Sequence, residues 1–239
     1  WNRRGLMVDA KENLRAHLAD PVLRKEMLID IEFILDLQGG ADRHVIVVSP
    51  QDPTLVGKTL ADVARENGLT PVDQVLTLAL EAESDIRSGV RFRGIAGSAE
   101  DVERYMRQDF TATGTDGGVV PDPSQGQHPR YYGTYPHKIA TYVRDKGTIS
   151  LPFFVRSSTG LPAQIIGLPD RGYIRVGQKA DLVILDYDAV QDFSTILDPG
   201  GRNEGIEYVF VNGQPVVDAG ALTGALPGQV LIRQEVRGR

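Results

Sequence analysis

The chain has 239 residues, 41% hydrophobic and 24% charged, with a formal net charge of −6. That length suits one large domain or a domain with a smaller companion, and the acidic balance excludes bulk attraction to nucleic acid or an anionic membrane. The lack of cysteine excludes disulfides and thiolate chemistry, and no apolar run approaches the roughly 20 residues that span a bilayer.

The chain opens on "WNRRGLMVDAKENLRAHL", without an initiator methionine and without a charged-then-apolar leader. It reads as though starting in mid-chain, and a soluble, cytoplasmic protein is expected. "DPVLRKEMLIDIEFILDL" predicts a helix, with Asp20 as N-cap, Pro21 at the first position, and Gly39 and Gly40 closing it. "RHVIVVS" is a β-branched run that predicts a strand. "GKTLADVAREN" predicts a short helix ended by Gly68, and "TPVDQVLTLALEA" another, with Thr70 as cap and Asp73 completing a capping box.

"GVRFRGIAG" is the next strand candidate, followed by a helix over "AEDVERYMRQ" capped by Ser98 with an apolar stripe of Val102, Tyr105 and Met106. A second short strand, "FTAT", then ends on Asp116. Strand, helix and strand in succession predict a parallel βαβ unit. "GVVPDPSQGQHPRYYGT" is a long Gly- and Pro-rich loop, placed where α/β folds carry active-site groups. Helices follow over "YPHKIATYVRDKG", "SLPFFVRSSTG" (capped by Ser150) and "LPAQIIGL". After about residue 170 only strands and tight turns are expected, with "VNGQ" predicting a type I′ hairpin.

The stretch "DFTATGTDGG" places one carboxylate, Asp116, among Gly114, Gly117 and Gly118. Two readings stand. At the C-terminal end of a parallel strand, Asp116 faces the mouth where α/β barrels do chemistry, and glycines let a substrate approach. Alternatively, Asp-Gly is turn chemistry and Asp116 caps its own loop. His17, His44, His128 and His137 include no HxH, HxxxH or HxxE spacing, so the chain has no self-contained metal signature. Ser157 and Ser158 lack a nucleophile elbow.

Taken together, several segments resemble the N-acyl-D-amino-acid deacylases (D-aminoacylases) of the amidohydrolase superfamily. "TGTDGG" looks like that family's strand-8 segment with its catalytic aspartate, and "HPRYYGTYPHKI" resembles the block that follows. "SSTGLPAQIIGLPDRGYIRVGQKADLVILD" and "VFVNGQPVVDAGALTGALPGQVL" are similar to the entry into the small β domain and its closing hairpin. The likeness runs, in order, from about Leu55 onward.

The fold so implied is α/β: the C-terminal part of a metal-dependent (β/α)8 barrel plus a small β-sandwich-type domain. Residues 1–89 would be an insertion between barrel strands 6 and 7, residues 90–169 the end of the barrel, and residues 170–239 the small all-β domain. "VRFRGIAG" would be strand 7 and "FTATGTD" strand 8. The implied activity is zinc-dependent hydrolysis of a linear amide, deacylation of an N-acyl-D-amino acid. Asp116 would be the proton shuttle for metal-bound water and a possible metal ligand. The family's metal-binding histidines come from earlier strands and are absent from this sequence.

Gly97 stands where relatives commonly carry a bulky residue, which implies a roomier substrate pocket. His128, Arg130 and Tyr132 would line the substrate site or lock its loop. A different reading makes the chain an assembly partner that completes a barrel supplied by another chain or by self-association. Dihydroorotase-like and hydantoinase-like hydrolases of cyclic amides share the strand-8 aspartate and "ADLVILD", and the HPR block favours the deacylases.

Overall fold

The computed structural model describes residues 10–81, 89–95, 97–118 and 128–231. Residues 82–88, which follow the "TPVDQVLTLALE" helix, and most of the loop before His128 lie outside the described residues. The chain divides into two compact units, Trp1–Ser98 and Ala99–Arg239.

The first unit is a helical layer beside a two-stranded sheet. Helix α1 (Ala10–Ala19) leads into α2 (Pro21–Leu37). Asp20 Oδ1 accepts from the N–H groups of Val22 and Leu23, satisfying two donors that a helix start leaves free. Gly39 and Gly40 stop α2 with φ of 93° and 89°, a region that penalises any Cβ. Ile31 and Leu35, one helical turn apart, pack on Leu14, on Leu60 of α3 (Leu60–Glu66) and on Leu76 of α4 (Pro71–Glu81). The expected Thr70–Asp73 cap forms, Thr70 Oγ1 accepting from the Asp73 N–H at 3.1 Å and donating to Asp73 Oδ2 at 2.7 Å. A full capping box, not anticipated from the sequence, joins Thr59 and Asp62.

Strand β1 (His44–Val48) pairs antiparallel with β2 (Arg91–Gly94), His44 opposite Gly94. The two predicted strands therefore form, but every ladder among the described residues is antiparallel.

The second unit begins with α5 (Ala99–Met106), whose expected stripe is only partly used. Met106 packs into the core while Val102 and Tyr105 stay exposed. Helix α6 (Arg130–His137) runs on into a π-helical stretch, Lys138–Asp145, and then come α7 (Leu151–Ser158) and α8 (Gly160–Ile166). Ser150 caps α7 by accepting from the Phe153 N–H. Ile139, Val143, Ile149, Phe154 and Val190 form the core of this unit.

Beyond α8, β3 (Leu182–Leu185), β4 (Ile206–Val211), β5 (Gln214–Asp218) and β6 (Ala221–Leu222) form an antiparallel sheet in that order. Asn212 and Gly213 turn β4 into β5 with φ of 50° and 80°, the two positive values a type I′ turn requires.

One expectation fails. Residues 110–116 form no strand, so the parallel βαβ unit is not built among the described residues. A strand needs a neighbouring strand to exchange N–H and C=O bonds with, and the segment instead meets a helix: the Thr113 N–H donates to Ser157 O at 2.8 Å. No helix among the described residues is long and apolar enough to cross a membrane.

Candidate active site

The segment 109–118 and the start of α6 bring two predicted residues together. Asp116 adopts φ 45°, a left-handed conformation that aspartate tolerates better than most residues. Its neighbours make room for it: a Cβ on Gly117 would lie 2.9 Å from Tyr131 Cδ1. The Gly117 N–H donates to Thr115 Oγ1 at 3.2 Å, tightening the turn. The carboxylate that results is 89% exposed, and Arg130 Nη2 meets it at 2.9 Å.

Arg130 is delivered by its own helix start. His128 Nδ1 accepts from the Arg130 N–H at 3.1 Å, and Pro129 O accepts from the Gly133 N–H at 2.8 Å. His128 thus acts as a loop-fixing acceptor, with its proton on Nε2 when neutral. An ion pair this exposed is worth about 0–1 kcal/mol, so the Asp116–Arg130 contact orients the two groups more than it stabilises the chain.

Tyr132 contributes its backbone, with its carbonyl accepting from Asn203 Nδ2 at 2.7 Å. Gly97 belongs to the first unit, where its carbonyl accepts from Arg43 Nη2 at 2.9 Å. Its φ of 86° is one that glycine adopts freely.

Behind the Asp116 turn lies a cluster that the sequence reading passed over. Lys138 Nζ donates to Thr113 Oγ1 at 2.7 Å and to Ser157 Oγ at 3.3 Å. Thr113 Oγ1 also shares a hydrogen bond with Ser158 Oγ at 3.1 Å. Lys138 is buried, and burial pushes its pKa below the ordinary lysine value. The available signal was a lysine set directly before Ile139 and Ala140, in a run that otherwise packs inward.

The described residues do not fit a zinc site by themselves. Among them no group of three or more His, Cys, Asp or Glu side chains comes together. The Asp116 carboxylate is occupied by a guanidinium, which would repel a cation beside it. His137 Nδ1 lies 3.5 Å from Asp192, and His44 is held by Gly40 O and Gln38 Oε1.

Residues 35–217 match the amidohydrolase family. The chain belongs to that family. It is 36% identical to a D-aminoacylase of Alcaligenes xylosoxydans xylosoxydans over 193 residues, 81% of this chain and 37% of the relative. A solved D-aminoacylase structure superposes with a TM-score of 0.63 at 33% identity, covering 79% of this chain and 37% of that one. An N-acyl-D-glutamate deacylase from Bordetella bronchiseptica, solved with zinc and a phosphonate mimic of the reaction tetrahedral intermediate, gives 0.59 at 28% identity over 76% of this chain and 36% of its own. The chain therefore spans little more than a third of the length of these relatives.

Proposed function

We propose that this chain is the C-terminal part of an amidohydrolase that deacylates N-acyl-D-amino acids, with Asp116 as its proton-transfer carboxylate. In this reading residues 1–89 are an insertion, residues 90–169 close a (β/α)8 barrel and residues 170–239 form a small all-β domain. The observation that carries it is the Asp116 turn. A strained, glycine-flanked carboxylate projects into solvent with an arginine at 2.9 Å, in a chain 36% identical to a D-aminoacylase.

Amide hydrolysis needs a base that takes a proton from the attacking water and returns it to the leaving nitrogen. An exposed carboxylate held by one ion pair can do both, since its second oxygen stays open to a water. Arg130 offers an anion-binding group beside it, suited to the carboxylate of an acylated amino acid. The metal belongs to this reading through the zinc-bound deacylase neighbour, with its ligands outside the cluster described above.

That no three metal-ligating side chains converge among the described residues favours a second reading, in which the chain alone is inert and completes a site shared with another segment or chain. One experiment separates them: metal content and amidase activity on N-acetyl-D- and L-amino acids, for the chain alone and with an upstream barrel half. Activity only in the combined form, selective for D-substrates and abolished by Asp116→Asn, supports a shared deacylase site. Stoichiometric zinc and turnover by the isolated chain would instead require a site built within it. Preference for a cyclic amide would move the assignment to the hydantoinase-like branch.

A further inference from the structure

Lys138 is 8% exposed and sits among Ile139, Ala140 and Val143, all buried. Burial alone accounts for its lowered pKa, and no carboxylate contributes to it. Its ammonium meets two hydroxyls, Thr113 Oγ1 at 2.7 Å and Ser157 Oγ at 3.3 Å, and lies 5.8 Å from the centre of the Phe154 ring. A cation that meets two hydroxyls and a ring face among the described residues is an expensive thing to bury. A hydrophobic side chain of the same length would serve packing better.

What the ammonium does is hold one end of the segment that carries Asp116. That segment has no strand beside it among the described residues, so the usual ladder does not fix it. Three bonds converge on Thr113 instead: its N–H to Ser157 O at 2.8 Å, its hydroxyl to Ser158 Oγ at 3.1 Å, and the Lys138 ammonium on that same hydroxyl. Asp116 follows three residues later, across Gly114, which has no side chain to hold it.

We propose that Lys138 is a positioning residue, anchoring Thr113 so that the Gly114–Asp116 arm presents its carboxylate from one fixed point. The inference rests on the assignment of Asp116 as the proton-transfer group.

Lys138→Met keeps the buried stem and removes the charge. Both hydroxyls keep a partner, since Ser157 Oγ also donates to Phe154 O and Thr113 Oγ1 keeps Ser158. Stability should therefore hold or rise. A positioning role requires faster hydrogen exchange at the Thr113 amide, by about tenfold, while the Leu168 amide, bonded to Ala163 O, is unchanged. In the active assembly kcat should fall about tenfold to a hundredfold with KM within about twofold. Thr113→Val removes the acceptor from the other side; it should give the same kcat loss and carries the test if Lys138→Met does not fold. The double variant should be no worse than either single one.

An unchanged Thr113 amide, or a loss carried by KM with kcat intact, overturns the proposal. If the wild-type assembly hydrolyses no acyl-amino acid, it is the functional assignment that fails, and the exchange measurement still decides whether Lys138 anchors the arm.

Discussion

Asn203 Nδ2 donates to the main-chain carbonyl of Tyr132 at 2.7 Å, the carbonyl that Pro136 leaves without its helical donor. In an α-helix the N–H four residues on would bond that oxygen, and proline has none. A residue 71 positions away in sequence supplies the bond instead. The helix then loosens into the π-helical stretch Lys138–Asp145, which carries Lys138. Asn203→Ala removes this hydrogen bond and should cost about 0.5–1.5 kcal/mol. Adding Pro136→Ala restores a local donor, so the Asn203→Ala penalty should shrink in that background. Urea titrations of the four proteins measure the coupling.

The proposed role of Asp116 predicts that activity and stability separate at this residue. With its side chain 89% exposed, Asp116→Asn should leave the thermal midpoint within about 2 °C while removing catalysis by the assembled enzyme. Asp116→Gly relieves the left-handed φ of 45° and should remain within about 1 kcal/mol of wild type in stability, yet be equally inactive. A large loss of stability in either variant would make Asp116 a structural residue.

Gly133 lies against the buried Asp192. A Cβ there would come within 2.5 Å of the carboxylate carbon and both its oxygens. Asp192 has little freedom to withdraw, since its Oδ1 accepts from the Ser194 N–H at 2.8 Å and from Ser194 Oγ at 2.5 Å. Gly133→Ala should therefore destabilise by about 1–3 kcal/mol, and part of that loss should return when Asp192→Ala is added. Calorimetry of the single and double variants reads both.

Lys138 gives a pH dependence of definite sign. Its folded pKa lies below the ordinary value of 10.5 because burial disfavours the charged form. As pH rises through the folded value, the folded chain releases a proton that the unfolded chain keeps until about 10.5. Stability contributed by this group therefore rises across that alkaline window. The difference in unfolding free energy between Lys138→Met and wild type should narrow as pH climbs through it. A difference independent of pH would show that the ammonium is not desolvated.

Local chemistry was legible from the sequence. Asp20, Thr70 and Ser150 each cap the helix that follows them in the chain, and Asn212-Gly213 makes its hairpin, because these devices act within a few residues. The segment 110–116 was not legible as it stands. Its β-like composition predicts a strand, but a strand is a relation between segments, and the partner of Thr113 is the end of a helix 44 positions on.

The sequence by itself therefore determined the helix ends, the turns, the family and the aspartate set among glycines, since each rests on neighbouring residues or on ordered motifs. Only the tertiary structure decided that Arg130 meets Asp116, that Asn203 completes the Tyr132 carbonyl, and that Lys138 ties Thr113 to Ser157. Each of these contacts joins residues well separated in the chain, and no local preference encodes which distant hydroxyl or carbonyl a donor will find.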